Sequence, residues 1–289
     1  MIEWKWLYRD SISALRTSSR KNWFDLFVRQ YIHQHWDLLY SIHFKPKGYK
    51  EKADVLSRIK SVGYERYTQV ASCIGGDLSE FERNLQRNTQ GLLKRLNVSD
   101  TEQEIYVITG LDATNIYTTS YQNRSVTVLC LEAAGGRLSD LELLVSHECH
   151  HFARQAKVNH NIFEASIHER LVTEGLASCF SEEVQPGRPV HEYCYVPETT
   201  VEWVVQNSDR IQEILAQLPE SEAMNLLFSR RPTSVLVEEV PSRTGYVYGY
   251  QLVKHFLEES GITAQSAADV PWMDVFPSYR APFSACVSH

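Results

Sequence analysis

The stretch Ser146-His147-Glu148-Cys149-His150-His151-Phe152-Ala153 leaves this chain the least freedom in how it folds. It holds the pattern His-Glu-x-x-His, with His147 and His151 four residues apart. On an α-helix, positions i and i+4 lie about 40° apart around the axis. Both imidazoles then project from one face, one turn apart, where they can share a zinc ion. Glu148 stands next to the first histidine and can reach a water on that metal without binding the metal itself. Two nitrogens to hold an ion and a carboxylate to take a proton are what a hydrolytic zinc site needs. The flanks favour a helix. Gly135-Gly136 supplies a turn, Ser139 and Asp140 can cap, and Leu141, Leu143, Leu144 and Val145 supply an apolar face. The plainer alternative is a helix that carries several histidines on a half-buried face.

A third protein ligand is needed, with the fourth position left for water. One class of zinc peptidases takes a third histidine six residues after the second, with a glycine between. Lys157 and Arg154 occupy those positions here, which excludes that class. The other common arrangement takes a glutamate from the next helix. Residues 164–184 read as that helix, and Glu174 lies in its apolar part, among Leu171, Val172, Leu176 and Ala177. A carboxylate there is costly to bury unless paired or bound to a cation. Gly175 and Ala177 allow another helix to approach closely. Glu174 is therefore the expected third ligand. His150 reads as supporting or surface, and Cys149 points away from the ligand face.

The remaining composition narrows the class. A net charge of −7, from 36 acids against 29 bases, argues against a nucleic-acid-binding surface. No run of 18 apolar residues predicts a membrane span, and the first ten residues lack an apolar signal core. Six scattered cysteines (Cys73, Cys130, Cys149, Cys179, Cys194 and Cys286) read as thiols in a cytoplasmic protein.

Residues 1–100 read as helical, with helices expected over Trp23–Tyr40, Lys50–Val62 and from an Asp77 cap to Leu96, and a break at Pro46-Lys47-Gly48. His33, His35 and His43 read as surface or core histidines, and Trp4, Trp6, Trp23 and Trp36 as core. Three strands are expected next, at Glu104–Thr109, Thr114–Ser120 and Ser125–Leu131, with a turn at Asn123-Arg124. The edge of such a sheet can pair with an extended peptide. A polar loop covers Lys157–Phe163. His160, His168 and the pair His191 and Cys194 have no partner spacing and read as structural.

Further helices are expected over residues 198–218 and around Leu226-Leu227, the latter broken at Arg230-Arg231-Pro232. Pro241 to Glu258 is a second organising stretch. If it is helical, Tyr246 and Tyr250 share a face, and Gly245 with Gly249 leaves one flank bare. The tyrosines can be plain packing. Alternatively, one phenol (Tyr246 or Tyr250) or His255 donates a hydrogen bond to a developing oxyanion.

Taken in order, Ser146 to His151, then Val172-Thr-Glu-Gly-Leu-Ala177, then Pro241 to Val253 with its two Gly-Tyr pairs, the chain resembles a bacterial family of predicted zinc-dependent proteases. That family is catalogued as a domain of unknown function and placed in the thermolysin-like, or gluzincin, clan. The likeness covers roughly residues 104–260. It implies zinc held by His147, His151 and Glu174, with Glu148 catalytic. Thermolysin-like enzymes orient the first histidine with an aspartate one turn after the third ligand. Ser178 stands there in this chain, a weaker orienting group.

The expected fold is α+β and mostly α-helical: a gluzincin-like domain over 101–289, with a small sheet beside the His-Glu-x-x-His helix, preceded by a helical region over 1–100. The expected activity is that of a zinc metallopeptidase using a zinc-bound water activated by Glu148, on a peptide or protein substrate. Two alternatives stay open. One is a zinc-stabilised, non-catalytic partner-binding protein. The other is a zinc hydrolase of a non-peptide amide.

Overall fold

Strand pairing in this protein begins at its first residues. Ile2–Trp6, strand β1, alternates Trp4 and Trp6 on one side, where their rings stack at 4.9 Å. The computed structural model describes residues 2–98, 102–113, 115–134, 137–158, 165–233 and 239–276. Six helices follow β1: α1 (Tyr8–Thr17), α2 (Trp23–Phe27), α3 (Trp36–Leu39), α4 (Lys52–Val62), α5 (Tyr64–Cys73) and α6 (Leu78–Arg95). Then come β2 (Gln103–Ile108), β3 (Ile116–Tyr121) and β4 (Arg124–Cys130). The rest is helical: α7 (Leu138–Val158), α8 (Ile167–Val184), α9 (Val190–Tyr193), α10 (Glu198–Gln206), α11 (Ser208–Gln217), α12 (Glu220–Phe228), α13 (Thr244–Ser260) and α14 (Trp272–Val275). The fold is α+β and mostly helical. No helix among the described residues is long and apolar enough to cross a membrane.

The chain forms two compact units, one of residues 1–91 with 99–145, the other of 92–98 with 146–289. The first holds a mixed four-stranded sheet in the order β1-β2-β4-β3. β1 pairs in parallel with β2, and β2 with β4, while β3 and β4 form an antiparallel hairpin. Its turn is Gln122-Asn123, both left-handed (φ 49° and 61°), the geometry that matches strand twist in a two-residue loop. The three expected strands are therefore present within a residue or two, and Thr114 lies outside the described residues. β1 corrects the helical reading of residues 1–100. Its partner is about a hundred residues away, and five residues carry too little periodicity to announce it. The compact units do not divide at residue 100, since β1 belongs to the same sheet as β2.

Helix boundaries in this unit have local causes. Asp77 caps α6 by accepting from the amides of Ser79 (2.8 Å) and Glu80 (3.2 Å). The expected helix over Trp23–Tyr40 is interrupted: wider π-type turns occupy Val28–Ile32 and Tyr40–Phe44. Phe27, Tyr31 and Tyr67 build the aromatic core between them. Tyr31 clasps Thr109, receiving its N–H (3.1 Å) and donating to its carbonyl (2.8 Å). Glu132, wholly buried, accepts the amide of Gly110 (2.9 Å). His43 is buried against the Tyr117 hydroxyl (2.6 Å), a core histidine as expected.

In the second unit, Ser166 caps α8 by accepting from the Glu169 amide at 3.2 Å. The expected start of this helix at Glu164 lies outside the described residues, as do Gly135-Gly136, Asn159 to Phe163 with His160, and Cys286. α7 begins at Leu138, so Ser139 and Asp140 sit inside its first turn instead of capping it. The single helix expected over 198–218 is two, divided at Asn207, whose backbone leaves the helical region (φ −129°). α8 and α13 touch backbone to backbone. A methyl group on Gly175 would be driven into the carbonyl of Gly249, and one on Gly249 into the carbonyl of Leu171. Arg154, 1% exposed, ties α7 to Glu169 (2.9 Å) and Thr173 (3.0 Å) of α8 and to the carbonyl of Val270 (2.9 Å).

Two stability experiments follow. Gly175→Ala and Gly249→Ala are each expected to cost about 3 kcal/mol or more, since backbone cannot yield as a side chain can. Gly91→Ala, mid-helix with nothing within 4 Å, should gain about 0.5–1 kcal/mol; denaturant midpoints read both. Burial pushes the Glu132 carboxyl up to about 7 from an ordinary 4.5, against the pull of the Gly110 amide. The folded state then keeps a proton that the unfolded chain has lost. Stability from this group is complete below about pH 4.5 and is lost as pH rises through about 7. Wild type should therefore weaken relative to Glu132→Gln between pH 4.5 and 7, and a wild-type advantage that grows with pH contradicts the assignment.

Candidate metal centre

α7 presents His147 and His151 on one face, with ring centroids 4.6 Å apart and planes almost perpendicular (88°). Glu174 of α8 meets both. Its Oε2 lies 3.1 Å from His147 Nε2 and 3.4 Å from His151 Nε2. His147 is 3% exposed and Glu174 9%. The three donor atoms all lie within 4.8 Å of one another, and no other such group of His, Cys, Asp and Glu occurs among the described residues. Two ligands each about 2.1 Å from a tetrahedral zinc ion stand about 3.4 Å apart. The donor set and its spacing therefore fit that ion.

The electrostatics follow from burial. Burial alone would raise the Glu174 carboxyl, but the His151 charge and hydrogen bonds from both imidazoles hold it well below the usual carboxylate range. Glu148 is pushed up to about 7, mainly by burial, with the Glu174 charge adding and His151 opposing. A carboxylate of that strength suits proton transfer near neutrality.

The other predicted positions separate. Tyr246 joins the site wall: its ring packs on Phe228 (5.6 Å) beneath the Arg243 guanidinium (4.2 Å), and it feels the charge of Glu174. Tyr250 does not come to the cluster. Its hydroxyl donates to Glu182 at 2.9 Å, two turns of α8 or about 12 Å beyond Glu174. His255 lies nine residues past Tyr246, half a turn out of phase and about 13 Å along α13, paired with Glu259 at 3.3 Å. His150 is buried and engages the Ala264 carbonyl (3.1 Å), while His168 stacks on Trp272 (5.1 Å). Cys194 points its thiol at the Tyr246 carbonyl (3.7 Å), and Cys149 is buried.

One residue at this site carries no signal in the sequence. Tyr195 sets its ring 5.4 Å from His147, edge to face (80°), with its hydroxyl shielded from solvent. Its backbone is left-handed (φ 54°), as is that of Arg243 (φ 64°), and the Arg243 Nη1 donates to the Tyr195 carbonyl at 2.6 Å. Two strained residues in one hydrogen bond mark a place the surrounding fold holds firmly. Ser178 is buried one turn after Glu174, and His147 Nδ1 makes no hydrogen bond among the described residues. Ring packing by Tyr195 thus joins the Nε2 contact with Glu174 in orienting this imidazole.

Comparison with known proteins agrees with this chemistry. Residues 109–276, more than half of the chain, match the model of a family described as "Predicted Zn-dependent protease (DUF2268)". No curated protein matches the chain, and no solved structure does. With zinc as the cofactor its description carries, that family is the one to which this chain belongs: the predicted zinc-dependent proteases.

Proposed function

We propose that this protein is a zinc peptidase of the gluzincin type, with His147, His151 and Glu174 holding the ion and Glu148 as general base. The observation that carries this reading is the convergence of two Nε2 atoms and one Oε2 at the spacing of zinc ligands, two from one helix and the glutamate from the next. When bound, zinc supplies Lewis acidity, which acidifies water and polarises a carbonyl. Glu148 takes the proton from the attacking water and returns it to the leaving amine. Burial, with the charge of Glu174, makes it a stronger base than an exposed glutamate. Tyr246, which shares the wall beside Glu174, is the phenol that donates to the oxyanion, a role for which the positions of Tyr250 and His255 give no support. Tyr195 holds the His147 ring for coordination.

Elemental analysis should find about one zinc per chain, lost in each of His147→Ala, His151→Ala and Glu174→Ala. Glu148→Gln should keep zinc while peptide-library cleavage falls by at least about 100-fold; wild-type turnover in that variant removes its assigned role. Zinc without cleavage of any peptide would point instead to a non-peptide amide or to a metal-stabilised binding protein. In chelator competition, Tyr195→Ala should weaken zinc binding by about 10–100-fold and Tyr195→Phe far less. Equal losses in the two would show that the hydroxyl, and not the ring, orients His147.

A further inference from the structure

Four residues from three separate segments form a continuous wall beside Glu174. Arg170 stacks its guanidinium over the Phe228 ring (4.7 Å), Phe228 meets Tyr246 edge-on (5.6 Å), and Arg243 lies over the other partner, Tyr246 (4.2 Å). The two cations act on the metal-ligand cluster through charge. Arg243 exerts its charge on His147, Arg170 on His151, and both on Tyr246. Arg170 stands one helical turn before Glu174, its Nε 3.9 Å from Oε1, beyond hydrogen-bonding distance. A guanidinium stacked on a ring keeps its N–H donors in its own plane, directed sideways. The Arg170 side chain is 38% exposed at the rim of the site, with its Nη1 directed at the Met224 sulfur (3.8 Å). Arg243 spends one donor on the Tyr195 carbonyl and is fixed there by its left-handed backbone.

The charge balance gives the wall its use. A bound dication and two guanidiniums exceed the carboxylates of Glu148 and Glu174, so the loaded site has positive charge to spare. Arg170 pairs with Glu174 only as an ion pair at 3.9 Å, without a hydrogen bond, and Arg243 spends a donor on the Tyr195 carbonyl, so Glu174 saturates neither guanidinium. From this arrangement, and resting on the peptidase reading above, we infer that the substrate carries a carboxylate beside the scissile amide, received by Arg170 and Arg243. The guanidinium fork matches a carboxylate in a way that a lysine could not. Two sources share that chemistry: the α-carboxylate of a chain terminus and the side chain of an internal acidic residue.

The test is binding, measured by calorimetry on the full-length, zinc-loaded Glu148→Gln protein. One matched pair of pentapeptides differs only in a free or amidated C-terminus. A second pair, both amidated, differs only in one internal Asp or Asn. In one pair the carboxylate member is expected to bind about ten-fold more tightly than its neutral partner, and which pair does so names the source. That preference should shrink to about three-fold or less in Arg170→Gln and vanish in the double variant with Arg243→Gln, each checked for retained zinc. Should Arg243→Gln fail to fold, Arg170→Gln and Arg243→Lys carry the same comparison. Equal binding within both pairs, a preference that survives the arginine variants, or no binding of any peptide overturns the inference. A carboxylate preference with no cleavage by the zinc-loaded wild type would instead remove the peptidase reading and leave only carboxylate binding by the two arginines.

Discussion

A carboxylate buried among apolar residues sets the terms for the second unit. Glu174 sits in a stretch of α8 whose neighbours are Leu171, Val172, Leu176 and Ala177, all buried. An isolated charge in such a place is costly, and the usual escape is protonation. Here the opposite happens, because the two imidazoles of α7 approach it and hold the negative form. The site is thus organised around an anion that demands cations. Arg170 adds an ion pair at 3.9 Å on the other oxygen and leaves Oε2 facing the histidines.

That geometry depends on how closely the helices approach. Glycines at 175 and 249 let α8 and α13 meet along their backbones, which leaves no room for even a methyl group. Gly245 allows Phe228 to seat its ring within 2.8 Å of where a Cβ would be. Tyr246 and Phe228 reach the wall beside Glu174 only because these small residues remove the bulk between them. From the other side, buried Arg154 locks α7 to α8 through Glu169 and Thr173. A rigid frame of this kind suits a metal centre, whose ligands need fixed directions more than they need mobility.

Much of the site was readable from local pattern. The spacing of His147 and His151, the apolar setting of Glu174 and the glycine flank of α13 are each properties of one short segment, and each has its counterpart in the fold. The same logic misled at Tyr250 and His255. Sharing a helix with Tyr246 says nothing about where a hydroxyl finds its partner, and Glu182 and Glu259 took those groups. It was silent at Tyr195, since a left-handed tyrosine after a short helix has no mark in the sequence. It also missed β1, whose meaning lies in a pairing with β2.

The amino-acid sequence by itself determined the helical register of the two histidines and the glutamate between them, the burial of Glu174 and the strands β2, β3 and β4. These follow from the 3.6-residue and two-residue periods, which act over a single element. Tertiary structure alone decided which of several phenols faces the site, that Tyr195 packs on His147, and that Arg170, Phe228, Tyr246 and Arg243 line up as one wall. Apart from Arg243 and Tyr246, three residues apart, those contacts join residues 18 to 58 positions apart, as from Phe228 to Tyr246 or from Arg170 to Phe228. Distances of that kind are set by how whole helices pack, and no local period encodes them.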